Sequence, residues 1–280
     1  MLGRYDGIIC AETAHIATHE TGATERLLGV KLLTVPTEDG KLRPADIKSR
    51  LNVLGLHHEP QPTVVSISQV TELGTCYSPE EIVALAETAH ESGLRLHVDG
   101  ARLANAAAYL GCDLRSITTD AGVDIFSFGG TKNGALAAEA VVVLNPSLAT
   151  AIPFLRRQSL QLASKMRFIS TQLTALLTDD LWRENATHAN HMAIRLADGL
   201  KDISGVSLAH PVQSNAVFAT LPPRGREIPP AALPVPLLGR ARRHRPLDDR
   251  LRHNRGPRGR LPRLPPQSLH ELTQGTAGST

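Results

Sequence analysis

Lys132 lies in a sequence context that is typical of a reactive lysine. It follows the apolar or β-favouring residues 125–128 and stands within the run Gly-Gly-Thr-Lys-Asn-Gly of residues 129–134. Small residues let a backbone turn sharply and approach a ligand closely. Burial at the end of a strand would desolvate the amine and lower its pKa, and the neutral amine is the form that condenses with an aldehyde. The alternative is a lysine in a solvent-exposed turn.

Three further side chains could act with this lysine. The run Asp-Gly-Ala-Arg starts at Asp99 and ends at Arg102, directly after the predicted strand 94–98, and His15 lies in a loop of small residues. An aspartate can pair with a protonated pyridine nitrogen and keep the ring an electron sink. An arginine can bind a carboxylate with two hydrogen bonds, and a histidine can stack on a ring or transfer protons near neutral pH. Taken singly, each also fits a turn, a salt bridge or a structural role.

The pattern of the chain predicts an α/β fold. Apolar or β-branched runs predict strands, and capping and amphipathic signals predict helices. The predicted strands are 6–10, 31–35, 63–68, 94–98, 124–128 and 138–144, and the predicted helices are 44–51, about 78–92, 103–110, 152–177 and 182–201. This alternation indicates a mostly parallel sheet covered by helices on both faces. Ligands bind such sheets at the carboxyl ends of the strands, where Asp99 and Lys132 are expected. His97, two residues before Asp99, is expected to pack behind it.

Size and composition limit the classes of protein to consider. A chain of 280 residues suits one large domain with a smaller appendage. It has no apolar stretch of membrane-spanning length, and its first residues lack the apolar core of a signal peptide. Three widely spaced cysteines without a Cys-x-x-Cys pair indicate reduced thiols in the cytoplasm, and no cysteine pairs with a histidine at the spacing of a zinc site. We therefore expect a cytoplasmic protein with neither a membrane partner nor a bound metal.

The charge of the chain changes sharply near residue 223. Residues 224–280 hold 12 of the 30 Lys and Arg residues but only 4 of the 27 Asp and Glu residues, so their balance is +8 against −5 for residues 1–223. A segment so rich in proline and arginine is predicted to be disordered. The alternatives are a basic arm for a polyanion or a shifted reading frame. No aromatic residue follows Phe218, which argues against a nucleic-acid partner because single-strand binders stack bases on such rings.

The motifs together resemble a known family. The matching runs are residues 10–16 (Cys-Ala-Glu-Thr-Ala-His-Ile), 71–75 (Thr-Glu-Leu-Gly-Thr), 97–106 (His-Val-Asp-Gly-Ala-Arg-Leu-Ala-Asn-Ala), 127–134 (Ser-Phe-Gly-Gly-Thr-Lys-Asn-Gly), 157–159, 162–168 and 215–218. Over about residues 5–223 the chain resembles the threonine aldolase and β-eliminating lyase group of fold-type I enzymes, which use pyridoxal 5′-phosphate (PLP). The resemblance implies cleavage of threonine or a related β-hydroxy-α-amino acid to glycine and an aldehyde.

The resemblance also assigns roles to residues. It implies that Lys132 carries PLP, Asp99 faces the ring nitrogen, His15 stacks on the ring, Thr131 contacts the cofactor and Arg102 contacts the substrate carboxylate. His15 or a water molecule could be the base. An amino-acid substrate and a homodimer or homotetramer are implied as well. The expected domains are 1–180 for PLP binding, 181–223 for the start of a small C-terminal domain, and the 224–280 tail.

Two departures from the family limit what the resemblance implies. The segment with the family's main phosphate-binding loop has no counterpart here, and neither does the C-terminal part that supplies a second arginine. The chain is therefore expected to be truncated at both ends and weakly active or inactive. Another fold-type I enzyme, either a β-eliminating lyase or an aminotransferase, and a non-catalytic remnant are the alternatives.

Overall fold

The computed structural model of the protein describes residues 2–221. Six strands form the main sheet: β1 (Asp6–Ala11), β2 (Lys31–Val35), β3 (Gln61–Ser68), β4 (Arg95–Gly100), β5 (Ile125–Gly129) and β6 (Glu139–Val143), and β7 (Ser207–Leu208) pairs with β8 (Ala219–Thr220). The helices of this part are α1 (His15–Thr18), α2 (Ala23–Leu28), α3 (Pro44–Ser49), α4 (Pro79–Glu91), α5 (Leu103–Leu110), α6 (Ile152–Gln158), α7 (Arg167–Leu177) and α8 (Leu181–Lys201). The predicted tail at 224–280 lies outside the described residues.

The main sheet is mostly parallel, and the predicted α/β class is confirmed. Its strand order is β2-β1-β3-β4-β5-β6, and β1 to β5 run parallel to one another. Only β6 is antiparallel, and its pairing with β5 brings Glu139 opposite Gly129. The carboxyl ends of β1, β3, β4 and β5 therefore meet at one edge of the sheet, as the sequence predicted for the ends of β4 and β5.

One face of the central strands forms the core. Val65, Leu96, Val98, Phe126 and Phe128 alternate with polar residues and are buried. Apolar side chains of α4 and α5 join them in one cluster. Burial of this face is the main stabilising contribution, at roughly 25 cal/mol for each Å² of apolar surface removed from water.

Among residues 2–221, the prediction that helices cover both faces is wrong for β6. On the second face Arg95, His97, Asp99 and Ser127 are only partly buried, and Val141 on β6 is 67% exposed. The reason is the strict alternation of strand side chains, which puts the polar set of β4 and β5 on this face. A half-exposed polar face beside the strand ends leaves the side chains near the candidate site accessible.

The sequence predicted the start of α4 correctly, because the signal for it lies within four neighbouring residues. Ser78 accepts a hydrogen bond from the Glu81 amide at 3.2 Å, the Glu81 carboxylate accepts one from the Ser78 amide at 2.8 Å, and Pro79 opens α4. This is the capping box that the sequence predicted.

The predicted helix over 152–177 is wrong, because α6 ends at Gln158 and α7 begins at Arg167. Leu160 and Lys165 take positive φ angles of 56° and 57° in between, which a helix cannot accommodate.

Helix α8 is attached to the sheet through α5. Asn105 on α5 and Asn190 on α8 are both buried, and each donates a side-chain hydrogen bond to the other residue, at 3.0 and 2.9 Å. A buried amide is costly unless it is paired, so the two residues fix the register of the helices.

The predicted domain boundary between residues 180 and 181 stays a prediction. Within residues 2–221 no helix is long and apolar enough to cross a membrane.

Asp124 holds the opposite edge of the sheet together. It is 4% exposed, and its carboxylate accepts hydrogen bonds from the Leu96 amide at 2.8 Å, His90 Nε2 at 2.8 Å and Asn145 Nδ2 at 2.6 Å. Burial acts to raise the pKa of Asp124, but the hydrogen bonds from Asn145, Leu96 and His90 outweigh it and lower that pKa. This carboxylate therefore contributes stability in its ionised form.

We expect Asp124→Ala to reduce the free energy of unfolding by about 1–3 kcal/mol at neutral pH, because buried donors lose their acceptor. Since the folded pKa is depressed, this stabilisation is present above the unfolded pKa of about 3.9 and is lost as the pH falls through the lower folded pKa. Urea unfolding at pH 7 and below pH 4 measures both effects. Asp120→Ala, at an exposed ion pair with Arg115, is the control with little expected change. Equal stability of parent and Asp124→Ala at pH 7 would refute the assignment.

Candidate active site

The sheet brings the sequence-predicted site residues to one edge. His15 follows β1, and Asp99 is the penultimate residue of β4. Arg102 follows β4, and Thr131 and Lys132 follow β5. Strands β1, β3, β4 and β5 are consecutive neighbours, so about 15 Å separates the first of them from the last. The five residues therefore lie on strand ends close enough to surround one small molecule.

The Asp99 carboxylate is held in place by one of its two oxygens. Oδ1 accepts hydrogen bonds from the Ala101 amide at 3.0 Å and from Ser127 Oγ at 3.3 Å. The first bond closes a turn over Asp-Gly-Ala, which explains why an aspartate followed by a glycine stands at the end of β4. Oδ2 accepts no hydrogen bond from any residue between 2 and 221. This oxygen is available to a protonated nitrogen.

Glycines let the chain segments after β4 and β5 touch. A methyl group added at Gly129 would lie 2.5 Å from the Ala101 carbonyl oxygen, and one added at Gly100 would overlap the Ser127 carbonyl oxygen. Real Cβ atoms do not approach so closely, so any other residue would push the two segments apart. The glycines thus bring the turn that bears Lys132 against the turn of Asp99.

Lys132 lies in a short 3₁₀ turn, Thr131–Asn133, that is anchored on both sides. Asn133 is buried and donates to the Trp182 carbonyl at 3.0 Å, and Asn185 donates to the Asn133 carbonyl at 2.9 Å. Lys132 itself is exposed. The expectation of a desolvated amine is therefore not met by the described chain, because the turn directs Asn133 inward and Lys132 outward.

Thr131 fastens this turn to β6. Its Oγ1 accepts a hydrogen bond from the Ala138 amide at 3.2 Å, and its own amide donates to Glu139 Oε1 at 3.2 Å. The hydroxyl thus holds the start of β6 beside Lys132. Whether Thr131 also contacts a cofactor stays a prediction.

His15 begins the one-turn helix α1 instead of lying in the predicted loop. Its Nδ1 lies 2.9 Å from Glu20 Oε1, and the imidazole side chain is 40% exposed. A carboxylate at Nδ1 orients the ring and leaves Nε2 for a second partner. His15 is therefore held at the edge of the sheet with part of its side chain exposed, and the centroid of its ring lies 5.5 Å from that of His19.

Arg102 carries an unpartnered buried donor. Its Nε is buried and has no hydrogen-bond partner, and the guanidinium forms no salt bridge in the part of the chain that the structure describes. An arginine donor that is removed from water without an acceptor is costly, so its usual partner is an anion. This observation fits the predicted contact with a carboxylate.

His97 belongs to a group of polar strand residues around Asp99, of which the sequence analysis singled out only His97 itself. Its Nδ1 lies 2.9 Å from Ser66 Oγ, and Ser68 and Ser127 flank Asp99 in the strand register. Burial lowers the pKa of His97, and the negative charge of Asp99 opposes that shift. The signal in the sequence is the alternation of serine, histidine and aspartate with apolar residues in β3, β4 and β5.

A shallow recess, too small to enclose a water molecule, lies between the ends of β1 and β3. Its lining includes Thr13, Ala14, Ser66, Ser68, Thr71 and Glu72. It adjoins His15 through Ala14 and adjoins Asp99 through Ser68, which pairs with that residue. Most of its polar groups are hydroxyls, and the Thr71 hydroxyl is already bonded to the Thr75 hydroxyl at 2.7 Å.

Comparison with known proteins identifies the family. The family model described as beta-eliminating lyase matches residues 1–222, and the chain belongs to that family. Among curated relatives, the low specificity L-threonine aldolase of Pseudomonas sp. is 47% identical over 215 residues, which cover 76% of this chain and 62% of that protein. The low specificity L-threonine aldolase of Pseudomonas aeruginosa is 46% identical over 218 residues, which cover 78% and 63%.

A solved structure shows the same similarity. The threonine aldolase of Leishmania major superposes with a TM-score of 0.73 at 38% identity, covering 78% of this chain and 63% of the other. The chain thus spans about three-fifths of the length of these relatives. The family resemblance that the sequence motifs indicated is confirmed.

We expect Gly129→Ala to lower the free energy of unfolding by about 1–3 kcal/mol, the usual cost of forcing a methyl group into a packed position. The added methyl group must displace the Ala101 backbone, and with it the Asp99 turn. Chemical unfolding measures the loss. Gly3→Ala is the matched control, because a methyl group there lies no closer than 3.6 Å to its neighbours. A Gly129→Ala protein as stable as Gly3→Ala would rule out the close approach.

Proposed function

We propose that this protein is a PLP-dependent lyase that cleaves threonine or a related β-hydroxy-α-amino acid into glycine and an aldehyde. The observation that carries the proposal is the convergence of Lys132, Asp99, Arg102 and His15 on one edge of the sheet. The names of the relatives, low specificity L-threonine aldolase at 46–47% identity, support the same reaction. The chain covers 62–63% of those proteins, so the activity is proposed for this chain on its own residues.

The residues present fit PLP. The unpaired Oδ2 of Asp99 can accept the proton of a pyridinium nitrogen, and Lys132 can bond the aldehyde carbon from the neighbouring strand end. The accessible ring of His15 can stack on an aromatic cofactor. When bound, PLP supplies an electron sink for the bond that is cleaved.

Arg102 recognises the substrate in this proposal. Its buried and unpartnered Nε, together with the rest of the guanidinium, can bind the α-carboxylate with two hydrogen bonds. Fixing the carboxylate fixes the orientation of the substituents on Cα. Orientation matters because the bond that breaks must be aligned with the electron sink.

Proton transfer completes the chemistry that the chain must perform. The β-hydroxyl oxygen loses its proton as it becomes the aldehyde oxygen, and Cα gains a proton to give glycine. His15, oriented by Glu20 at Nδ1, can accept and return a proton through Nε2. A water molecule held near the cofactor is the alternative base.

We further propose a cytoplasmic homodimer or homotetramer. The structure supports self-association through a group of exposed apolar side chains after the lysine turn: Leu136, Phe154, Leu160 and Phe168 are 63–89% exposed. Large exposed apolar groups of this kind mark interaction surfaces. The α6 helix has no buried residue of its own, so it also lacks a partner within the described chain.

We expect titration of the purified chain with PLP to give a saturable change in visible absorption that Lys132→Ala abolishes, because the mutant has no amine to bond the aldehyde carbon. Lys48→Ala, at an exposed lysine on α3, is the matched control and should behave as the parent does. Equal saturable changes in the parent and Lys132→Ala would exclude Lys132 as the cofactor lysine.

With threonine, we expect acetaldehyde and glycine as products, and Arg102→Ala should raise KM by about tenfold or more, since a charge-assisted hydrogen bond contributes about 1.5–3 kcal/mol. Product analysis and steady-state kinetics measure both. Arg95→Ala, at a half-buried arginine at the start of β4, is the control. Ammonia and a keto acid as products would instead support a β-eliminating lyase or an aminotransferase.

A further inference from the structure

The loop of residues 71–76, after β3, contributes one wall of the recess. Thr71 and Glu72 line the recess. The loop is closed by hydrogen bonds from the Thr71 amide to the Thr75 carbonyl at 3.0 Å and between the two threonine hydroxyls at 2.7 Å. Its shape is therefore fixed from within, but its position depends on its contacts with other segments.

The base of this loop is fastened to β3. Gln69 donates through Nε2 to the Tyr77 carbonyl at 2.8 Å and accepts from the Tyr77 amide at 3.0 Å. Gln69 and Tyr77 are both almost completely buried. These bonds join the two ends of the loop. Lys41 Nζ donates to the Cys76 carbonyl at 3.3 Å and Thr75 Oγ1 donates to the Asp39 carbonyl at 2.6 Å, so residues 39–41 hold the loop from one side.

A second support is the segment of residues 209–218, in which Gln213 lies 137 residues after Cys76. The Cys76 amide donates to Gln213 Oε1 at 2.9 Å, and the Cys76 thiol donates to the Gln213 carbonyl at 3.0 Å. Burial raises the pKa of Cys76 to about 12, so the thiol keeps the proton that it donates. Gln213 therefore bonds both the backbone and the side chain of one loop residue.

Two further contacts embed this segment. Phe218 lies beside Gly74, where an added methyl group would be 3.0 Å from its ring. Gly74 has a φ of 82°, a conformation that favours glycine, so the loop can pass close to the ring. Ser214, next to Gln213, is 1% exposed. The segment is therefore packed in place and can serve as a fixed support.

We propose that Gln213 is a positioning residue that, together with residues 39–41, clamps the loop of residues 71–76 at the carboxyl end of β3, so that Glu72 stays in place beside the substrate. This inference rests on the proposed function as far as the substrate is concerned. Gln213 has no contact with Asp99 or Lys132, which lie on β4 and after β5. Its loss should therefore weaken substrate binding and leave PLP binding unchanged.

Hydrogen exchange and kinetics of the 280-residue protein with PLP test this role. In Gln213→Ala we expect exchange of the Cys76 amide to accelerate by about tenfold, the factor that corresponds to the loss of one hydrogen bond. The KM for threonine should rise, with the affinity for PLP as in the parent. Gln213→Glu keeps an oxygen acceptor for the Cys76 amide and should restore both properties.

A second glutamine provides the matched control. Gln61 bonds the Gly55 amide and the Val53, Leu56 and Glu59 carbonyls, so it also bridges backbone segments, but it does so at the start of β3. Gln61→Ala should accelerate exchange around residues 53–61 and leave the 71–76 loop and the KM for threonine unchanged. A general loss of stability would affect both variants alike.

The outcomes separate the two proposals. Unchanged exchange of the Cys76 amide in Gln213→Ala would overturn the clamp, and faster exchange with an unchanged KM would overturn its role in substrate binding. If the parent binds no PLP or leaves threonine uncleaved, the proposed function fails. The exchange experiment still decides the clamp in that case, because it needs no turnover.

Discussion

The backbone contact between the segments after β4 and β5 is the constraint on which the candidate site depends. Gly100 and Gly129 remove the side chains that would keep these segments apart. The Asp99 carboxylate and the Lys132 turn consequently belong to one rigid unit, since each segment blocks the movement of the other. Strand pairing fixes the strands, and the backbone contact acts together with the side-chain hydrogen bonds of Asn133, Asn185 and Thr131 to fix the loops that continue beyond them.

Two aspartates, Asp99 in β4 and Asp124 directly before β5, show how the same side chain serves structure and chemistry. Asp124, at the amino edge, has hydrogen bonds at both oxygens and is buried. Asp99, at the carboxyl edge, uses one oxygen to hold its own turn and keeps the other unpaired among residues 2–221. Full pairing makes the first a source of stability. Incomplete pairing makes the second, and Arg102 beside it, capable of binding a ligand.

The sequence was sufficient for features with a local cause. The capping box of α4, the alternation in β3 to β5 and the glycines around Asp99 and Lys132 all act over a few residues, and they led to the strand ends of the site. Features that depend on distant partners could not be predicted in this way. The exposure of Lys132 follows from Asn133 bonding the Trp182 carbonyl, and the contact between Cys76 and Gln213 joins residues with no pairing signal in a single sequence. The break between α6 and α7 was also missed, because residues 159–166 contain no proline or glycine.

Helix α8 carries two attachment points that lead to the site from different sides. Trp182 and Asn185 hold the turn of Lys132, and Asn190 holds α5, whose first residue follows Arg102. A straight helix keeps Asn185 and Asn190 about 8 Å apart along its axis. A tilt or shift of α8 would therefore carry the lysine and the arginine in the same direction and preserve the spacing between them. Both side chains are thus tied to one helix, α8. Thermal motion of that helix need not change the distance between Arg102 and Lys132, which lie 30 residues apart in the chain.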